Sequence, residues 1–314
     1  MSDLGNSEIQ GKRILVAGAG GFLGQHLVER LLQAGAEVLA VSRRPQGESR
    51  ARLQRIRADM VDRAAIRSIF NELSPDIVYQ LCGRPDGGRD LSLVIPTLES
   101  DILTTVNLLL AAAEKPVRRF ITTASLEESV GGEAPISPYA AAKMSSVTYA
   151  KMFHRVYNVP VVVLRPFMTY GPKQPGTKIV SYLIRSLLSG EVPKLSSGTR
   201  MVDWVYIDDV MDGFLKAAVA AGVEGETFDL GSGEMVSIRD IANRVAVLTE
   251  SDVQPAFGAL PDRAFERERS ADTDTTRLRL AWQPRVPLDN GLALTIDWWK
   301  KQLAAEGSMP DKVG

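Results

Sequence analysis

The sequence is poor in the residues that build disulfides and metal clusters. Its 314 residues include one cysteine, Cys82, and two histidines, His26 and His154. A single thiol excludes a disulfide within the chain and a cysteine-based metal cluster, and the two histidines lie in unrelated helical stretches. We therefore predict no metal site.

The chain also lacks an excess of either charge. It has 37 Lys and Arg against 38 Asp and Glu, so its formal net charge is −1 and no basic field attracts nucleic acid or anionic lipid. Apolar runs such as 106–113 and 159–164 are far shorter than the roughly 18 residues of a membrane helix, and residues 1–10 have no basic-then-apolar signal pattern. We expect a cytoplasmic protein that binds neither nucleic acid nor membranes.

Glycine is concentrated at one informative place. Gly18, Gly21 and Gly24 recur every third residue, after the apolar run 14–17 and before a helical pattern. Glycine lets the backbone approach a pyrophosphate, and the helix that follows offers free N–H groups and a positive dipole end to that anion. The alternative is a glycine-rich turn that holds no ligand. The flanking strand and helix favour a dinucleotide site.

Strand-like and helical patterns alternate along the first half of the chain. The predicted strands are 14–17, 37–41, 76–81, 119–123 and 161–165, and the clearest helices are 23–32 and 102–113. This alternation predicts an α/β fold with a Rossmann-like, doubly wound parallel sheet covered on both faces.

Proline and glycine break this rhythm after residue 172, which predicts a smaller, discontinuous C-terminal substrate lobe. The dinucleotide-binding domain then comprises residues 12–172 and about 203–232, with a returning strand at 227–230. The lobe comprises about 173–202 and 233–305, with a helix at 237–249. Residues 1–11 and 306–314 are predicted to be tails.

The end of the second predicted strand indicates the cofactor. An NAD site normally has an acid here, against the ribose 2′-hydroxyl, whereas this chain has Ser42, Arg43 and Arg44. A hydroxyl and two guanidinium groups suit a 2′-phosphate, so NADP(H) is favoured and NAD(H) remains possible. A solvated arginine pair is the alternative interpretation.

Tyr139 and Lys143 lie four residues apart at the start of a predicted helix, which places both side chains on one face. The ammonium favours the phenolate and can also hold the ribose hydroxyls of a nicotinamide cofactor. Ser125, just beyond the strand 119–123, can bond the same substrate oxygen. The three residues predict proton transfer, and an exposed helix pair is the alternative.

The chain resembles an extended short-chain dehydrogenase/reductase, of the branch that includes nucleotide-sugar epimerases, dehydratases and ketoreductases. The resemblance runs from about residue 12 to 303 and rests on several motifs in the family's order. Besides the glycine run and the Ser, Tyr and Lys set, the matching segments are 59–60, 81–83, 164–172, 203–210 and 271–282.

The resemblance assigns the site residues. Catalysis is expected from Ser125, Tyr139 and Lys143. The residues expected to contact the cofactor are Gly18, Gly21, Phe22, Leu23, Gly24, Ser42, Arg43, Arg44, Asp59, Met60, Leu81, Cys82, Gly83, Thr123, Tyr139, Lys143, Pro166 and Met168. Those expected to contact substrate are Arg84, Ser125, Met168, Arg200 and Arg263. The family's long helices, here around 102–113 and 139–158, imply a homodimer.

The chain departs from the family pattern at three positions. Met168 stands where nucleotide-sugar enzymes usually have Asn, Val202 where they have Arg, and Asp101 where they have Asn under the cofactor. Arg200 and Arg263 remain as candidates to hold a diphosphate. The acidic segment with Glu127, Glu128 and Glu133 is a candidate source of a further acid or base, although acidic surface loops are usually only solvated.

These observations favour an NADPH-dependent reductase of a sugar carbonyl, in a nucleotide-linked 4-keto-deoxysugar, with Tyr139 as the proton donor. A nucleotide-sugar 4-epimerase with retained NAD is the first alternative. Reduction of a non-nucleotide ketone or aldehyde is the second, because Met168 and Val202 make the lobe more apolar. A regulator that binds the cofactor without turnover would not need the Ser125, Tyr139 and Lys143 set.

Overall fold

A computed structural model describes residues 8–129, 131–264 and 268–307. The described strands are β1 Arg13–Ala17, β2 Glu37–Ser42, β3 Leu53–Arg57, β4 Ile77–Gln80, β5 Arg119–Thr123, β6 Val161–Pro166, β7 Met168–Tyr170, β8 Met201–Tyr206, β9 Thr227–Leu230 and β10 Met235–Ser237. The described helices are α1 Phe22–Gln33, α2 Arg63–Leu73, α3 Val94–Thr97, α4 Thr104–Glu114, α5 Pro138–Tyr157, α6 Ile179–Leu188, α7 Ile207–Val219, α8 Ile238–Leu248, α9 Thr273–Leu280 and α10 Leu288–Gly307.

The described residues divide into two compact units, each of which is made of three separate segments of the chain. The first comprises 1–166, 211–230 and 272–283, and the second 167–210, 231–271 and 284–314, each within the described ranges. Helix α7 contains one of the boundaries. The second unit takes residues 203–210, which the sequence analysis assigns to the dinucleotide-binding domain, because β8 pairs with β7 and β10.

The first unit is built on a parallel sheet of seven strands among the described residues, in the order β3-β2-β1-β4-β5-β6-β9. Strand order reverses between β1 and β4, as in doubly wound folds. The Rossmann-like fold predicted from the β–α alternation is confirmed. The register is regular, with Val16 beside Ala40 on one side and Tyr79 on the other.

Burial on both faces explains why the central strands are almost continuously apolar. All five residues of β5 and all four of β4 are buried, and β1 is buried after its first residue. Helices α2, α4 and α5 pack on the sheet through an apolar cluster that includes Phe70, Leu108, Phe120 and Phe153. This rigid core positions the loops at the carboxyl ends of the strands.

Two features of the first unit differ from the sequence prediction. Strand β3 was not predicted, because its sequence Leu-Gln-Arg-Ile-Arg lies at a sheet edge and carries charge. The predicted helix 102–113 begins in the structure as a π-helical turn, Leu98–Leu103, and becomes regular from Thr104.

The stretch Leu91–Glu114 has the length and mean hydropathy of a membrane-crossing helix. The sequence analysis counted only the apolar run 106–113 within it, which is too short to cross a membrane. The stretch also carries buried polar residues with partners inside the first unit. Asn107 donates hydrogen bonds to the carbonyls of Met60 and Val61, and Gln80 donates to Thr104 and Thr105. These bonds are those of a helix packed within a protein core.

The second unit contains the three-stranded sheet β10-β8-β7, together with α6, α8 and α10. Buried Asp203 organises it. Its carboxylate accepts hydrogen bonds from the backbone N–H groups of Ser232, Gly233 and Ala271. The predicted helix 237–249 is α8, and Ser237 caps it by accepting from Asp240 N.

Candidate active site

The glycine loop connects β1 to α1 and is closed by backbone contacts. The N–H groups of Gly18 and Ala19 both donate to the carbonyl of Val41, and Gly21 donates to Gly18. Gly18 has φ +86°, and a Cβ there would lie 2.7 Å from the backbone of Leu81. A Cβ on Gly24 would lie 2.2 Å from the Gly18 carbonyl oxygen. Glycine is therefore required at both positions.

Helix α1 begins without a side-chain cap or an acidic residue in its first turn. Its first N–H groups and the positive end of its dipole suit an anion. The loop therefore fits the pyrophosphate of a dinucleotide.

The predicted cofactor residues of the first unit lie at one edge of its sheet. They follow the carboxyl ends of successive strands: the glycine loop after β1, Ser42 at the end of β2, 59–60 after β3, 81–83 after β4, Thr123 in β5 and Pro166 in β6. Parallel strands end at the same edge, where ligands of doubly wound folds bind.

A cavity of about 270 Å³ lies beside the glycine loop at the end of β2. Ala19 and Gly20 line it together with Ser42, and Arg50 and Arg55 line it as well. Glu29 of α1 is its one acidic lining residue, and the end of β2 contributes none. Sequence reasoning missed Arg50 and Arg55, since the strand that carries Arg55 was not predicted.

Arg43 and Arg44 are exposed and do not line that cavity. Arg43 instead acts electrostatically on Cys82, in the loop after β4. Burial is the main reason why the pKa of the Cys82 thiol is raised to about 12, so this side chain stays protonated and unreactive at neutral pH.

Ser125, Tyr139 and Lys143 come together in the first unit. Ser137 caps α5 by accepting from Ala140 N, so Tyr139 and Lys143 lie on the first turns of this helix. Tyr139 makes a side-chain hydrogen bond with Ser125. The Lys143 ammonium lies 5.9 Å from the Tyr139 ring centroid and donates to Thr123 Oγ1 at 3.1 Å.

The Tyr139 hydroxyl is a protonated phenol at neutral pH. Its removal from water raises its pKa, and this outweighs the lowering effects of the Lys143 ammonium and the Ser125 hydrogen bond. Asp101 and Glu127 raise the pKa further. The group is therefore arranged to donate a proton.

Lys143 keeps its charge although it is buried. Burial lowers the pKa of its ammonium, but Asp101 and Tyr139 raise it by more, so the net shift is upward. The carboxylate of Asp101 lies 3.2 Å from the ammonium, inside the π-helical turn. Sequence reasoning singled out Asp101 but did not assign it a partner.

The acidic segment after Ser125 has divided roles. Glu128 is buried, and its carboxylate accepts from both Nε and Nη2 of Arg165. Arg165 also bonds the carboxylate of buried Asp229 in β9 at 2.5 Å. Glu128 thus belongs to a buried ion triad. Glu127 lies close enough to Tyr139 to raise the pKa of its hydroxyl. Glu133 is exposed.

The remaining predicted residues are distributed over both units. Arg84 lies in the first unit, where its backbone N–H donates to Asp101. Met168, Arg200 and Arg263 belong to the second unit. Asp262, next to Arg263, accepts from both the backbone and the hydroxyl of Ser197, which orders that loop.

Comparison with known proteins gives one consistent result. Residues 14–231 match the model of the NAD dependent epimerase/dehydratase family. The chain belongs to this family. A UDP-glucose 4-epimerase of Mycolicibacterium smegmatis is 30% identical over an alignment of 315 positions that covers 92% of this chain and 99% of that protein. A probable dTDP-glucose 4,6-dehydratase of Sinorhizobium fredii is 28% identical, over 91% and 92% of the two chains.

Solved structures agree. The crystal structure of a UDP-glucose 4-epimerase from Thermotoga maritima with UDP-glucose superposes with a TM-score of 0.85, at 26% identity over 93% of this chain and 99% of that one. The resemblance to extended short-chain dehydrogenases/reductases of the nucleotide-sugar branch is confirmed. This epimerase/dehydratase family member is thus an oxidoreductase-type enzyme of an NAD-dependent family.

No group of three or more His, Cys, Asp or Glu residues that could hold a metal ion is found within the described part of this epimerase/dehydratase family member.

Proposed function

We propose that the protein is an NADPH-dependent reductase of a sugar carbonyl, in a nucleotide-linked 4-keto-deoxysugar. The end of β2 supports this most directly. It has no carboxylate to hold a 2′-hydroxyl, and it has Ser42 and a cavity beside the glycine loop that Arg50 and Arg55 line. Cationic groups and hydroxyls are the partners that a 2′-phosphate requires.

The proposed chemistry assigns one task to each residue of the catalytic set. NADPH held at the glycine loop and the end of β2 would supply the hydride and would be oxidised to NADP⁺. Tyr139 donates its phenolic proton to the substrate oxygen and recovers a proton from solvent. Ser125 bonds the same oxygen and stabilises the charge that develops on it. Lys143 holds ribose hydroxyls and keeps the phenol in a polar environment.

The other predicted cofactor residues have supporting roles in this proposal. The glycine loop with Phe22 and Leu23 binds the pyrophosphate, while Asp59 and Met60 flank the adenine. The segments 81–83 and 123, with Pro166 and Met168, line the nicotinamide. Arg84, Arg200 and Arg263 are proposed to contact the substrate, the two last through its diphosphate.

A 4-epimerase with retained NAD is the second candidate, since a UDP-glucose 4-epimerase matches at 30% identity over nearly the whole of both chains. Consumption of the cofactor separates the two functions. The full chain is incubated with dTDP-4-keto-6-deoxyglucose or UDP-glucose, and with NADPH or NADH.

Loss of NADPH in stoichiometric amount with the keto sugar supports the reductase. Interconversion of UDP-glucose with its C4 epimer, without net change in the amount of cofactor, rejects the reductase and supports the epimerase. Reduction of simple ketones but not of the keto sugar would contradict the proposal that the substrate is linked to a nucleotide.

The cofactor preference has a test of its own. We expect Arg43→Ala combined with Arg44→Ala to weaken NADPH binding about tenfold or more, because charge-assisted hydrogen bonds to the phosphate are lost, and to leave NADH binding nearly unchanged. Arg55→Ala tests the cavity in the same way. Arg67→Ala, an exposed arginine of α2, is the matched control. Equal losses for NADPH and NADH would contradict the preference.

We also propose a cytoplasmic homodimer. Large apolar side chains are exposed on two neighbouring helical segments of the first unit. Leu91, Val94, Ile95 and Leu98 recur at helical spacing on 91–98, while Tyr149 and Val156 are seven residues apart on α5. Segments α3 and α5 pack together, so the two stripes lie on neighbouring elements and are proposed to form one patch. A second copy of the chain is the proposed occupant.

A further inference from the structure

The buried carboxylate of Asp101 stands out within the candidate site, since it replaces an uncharged residue of the family pattern. The residue is 1% exposed and belongs to the π-helical turn before α4. One carboxylate oxygen faces Lys143, and the other accepts from the backbone of Arg84 at 3.0 Å and from Ser100 at 2.9 Å. The carboxylate is therefore held in one orientation.

The surroundings leave little freedom to this carboxylate. A Cβ on Gly83 would lie 2.6 Å from its oxygen, so the loop after β4 fits closely against it. The carbonyl of Asp101 accepts from Ser146, one turn beyond Lys143 on α5. Asp101 and Lys143 are thus fixed relative to each other by both backbone and side-chain bonds.

A fixed ion pair has a different field from that of a lone ammonium. The Asp101 carboxylate, 3.2 Å from the Lys143 ammonium, opposes the effect of that positive charge on Tyr139. A lone buried ammonium stabilises a neighbouring phenolate strongly, whereas a neutral pair does so weakly.

We propose that Asp101 is a positioning residue that holds Lys143 and weakens the effect of its charge on Tyr139, which disposes the site toward carbonyl reduction rather than alcohol oxidation. Reduction needs the phenol to give a proton, and oxidation needs the phenolate to take one. The inference rests on the proton-transfer role that the proposed function gives to Tyr139.

Several charged and titratable groups face this pair. Tyr139 is acted on by Lys143 of the same helix, by Asp101 of the π-helical turn and by Glu127 of the segment after β5, and it bonds Ser125. Lys143 is also acted on by Glu128, and Cys82 lies within reach of both Lys143 and Asp101. Of these groups, only Asp101 is in direct contact with the ammonium as an ion pair among the described residues.

Asp101→Asn tests the proposal, because it removes the charge and keeps the shape. The full chain carries 13Cζ-tyrosine, and NMR follows the Tyr139 resonance against pH with and without NADP⁺. Tyr139→Phe identifies that resonance by its absence. We expect the midpoint of the Tyr139 titration to fall by about one pH unit in the variant. Glu99→Gln removes an exposed carboxylate from the same turn and is the matched control, with an unchanged midpoint.

An unchanged Tyr139 midpoint in Asp101→Asn overturns the proposal, as does a shift of equal size in Glu99→Gln. Should Asp101→Asn not fold, Gly83→Ala displaces the carboxylate instead and must move the midpoint in the same direction. The titration needs no substrate, so it separates the two proposals. A lower midpoint in a protein that fails to consume NADPH would retain the role of Asp101 and reject the reductase.

Discussion

The phenolic hydroxyl of Tyr139 is the single atom group on which the proposed chemistry depends. It bonds Ser125 and lies near the Lys143 ammonium, and its removal from water raises its pKa. A proton held in this way is available to a substrate oxygen at neutral pH.

Replacement of this hydroxyl separates catalysis from binding. We expect Tyr139→Phe to lower kcat by about 10²–10⁴-fold, the range for a positioned general acid, and to leave the Kd for NADPH within about twofold. Steady-state kinetics and fluorescence titration measure the two quantities. Tyr157→Phe, at the exposed end of the same helix, is the control. Undiminished turnover in Tyr139→Phe would remove the phenol from the mechanism.

At this scale the sequence identified candidates but not their partners. Tyr139 and Lys143 could be linked because helical spacing puts residues four apart on one face. The pairing of Asp101 with Lys143 and of Glu128 with Arg165 joins residues 42 and 37 positions apart in the chain, across different elements. No local periodicity reports such contacts, so Glu128 was considered only as a candidate acid or base.

Strands β5, β6 and β9 are joined at their carboxyl ends by an ion triad. Arg165 of β6 bonds Asp229 of β9 and Glu128, which follows β5. The three side chains are 15%, 6% and 8% exposed, so the opposite charges stabilise each other away from water. Because Glu128 lies three residues after Ser125, the triad also fixes the segment that carries this hydroxyl.

The triad predicts a large effect on stability. We expect Arg165→Met to lower the free energy of unfolding by about 3–5 kcal/mol, since it leaves two carboxylates buried without their cation. Urea denaturation measures the change. Arg277→Met breaks the exposed pair with Asp274, and we expect it to cost at most about 0.5 kcal/mol. Similar losses in the two variants would show that burial of the triad does not control stability.

At the level of elements, the β–α alternation predicted the central strands and α1, α4 and α5 to within a few residues. The central strands are apolar because both of their faces are covered, which makes them easy to recognise. Strand β3 was not predicted, because it lies at the edge of the sheet, where the charged side chains of Arg55 and Arg57 are accommodated. The π-helical turn was not predicted, because a single short turn does not show in the apolar pattern whether its bonds join residues four or five apart.

We expect the protein to function as a homodimer. The apolar patch proposed on 91–98 and α5 comprises six exposed large side chains, and it lies outside the loops at the carboxyl edge of the sheet. Two copies that share such a patch bury it symmetrically. Stable interfaces of this kind bury about 1,200–2,000 Å².

Charge placed in this patch tests the dimer. We expect Ile95→Glu combined with Tyr149→Glu to convert the protein to monomers, because the two carboxylates would be buried without partners. Light scattering after size exclusion measures the mass. Val247→Glu, at a 75% exposed apolar position on α8, is the control and should leave the mass unchanged. A wild-type protein that is monomeric at micromolar concentration would contradict the prediction.

Each unit is built from three separate segments of the chain, and this order affects how the protein folds during translation. Strand β9, which borders β6, and helix α9, which packs on β9, are translated after much of the second unit has already emerged. The first 166 residues therefore leave the exit tunnel with one margin of their sheet unpaired and with Arg165 lacking Asp229. That nascent intermediate is the state most exposed to aggregation, and the stage at which chaperone assistance is most useful.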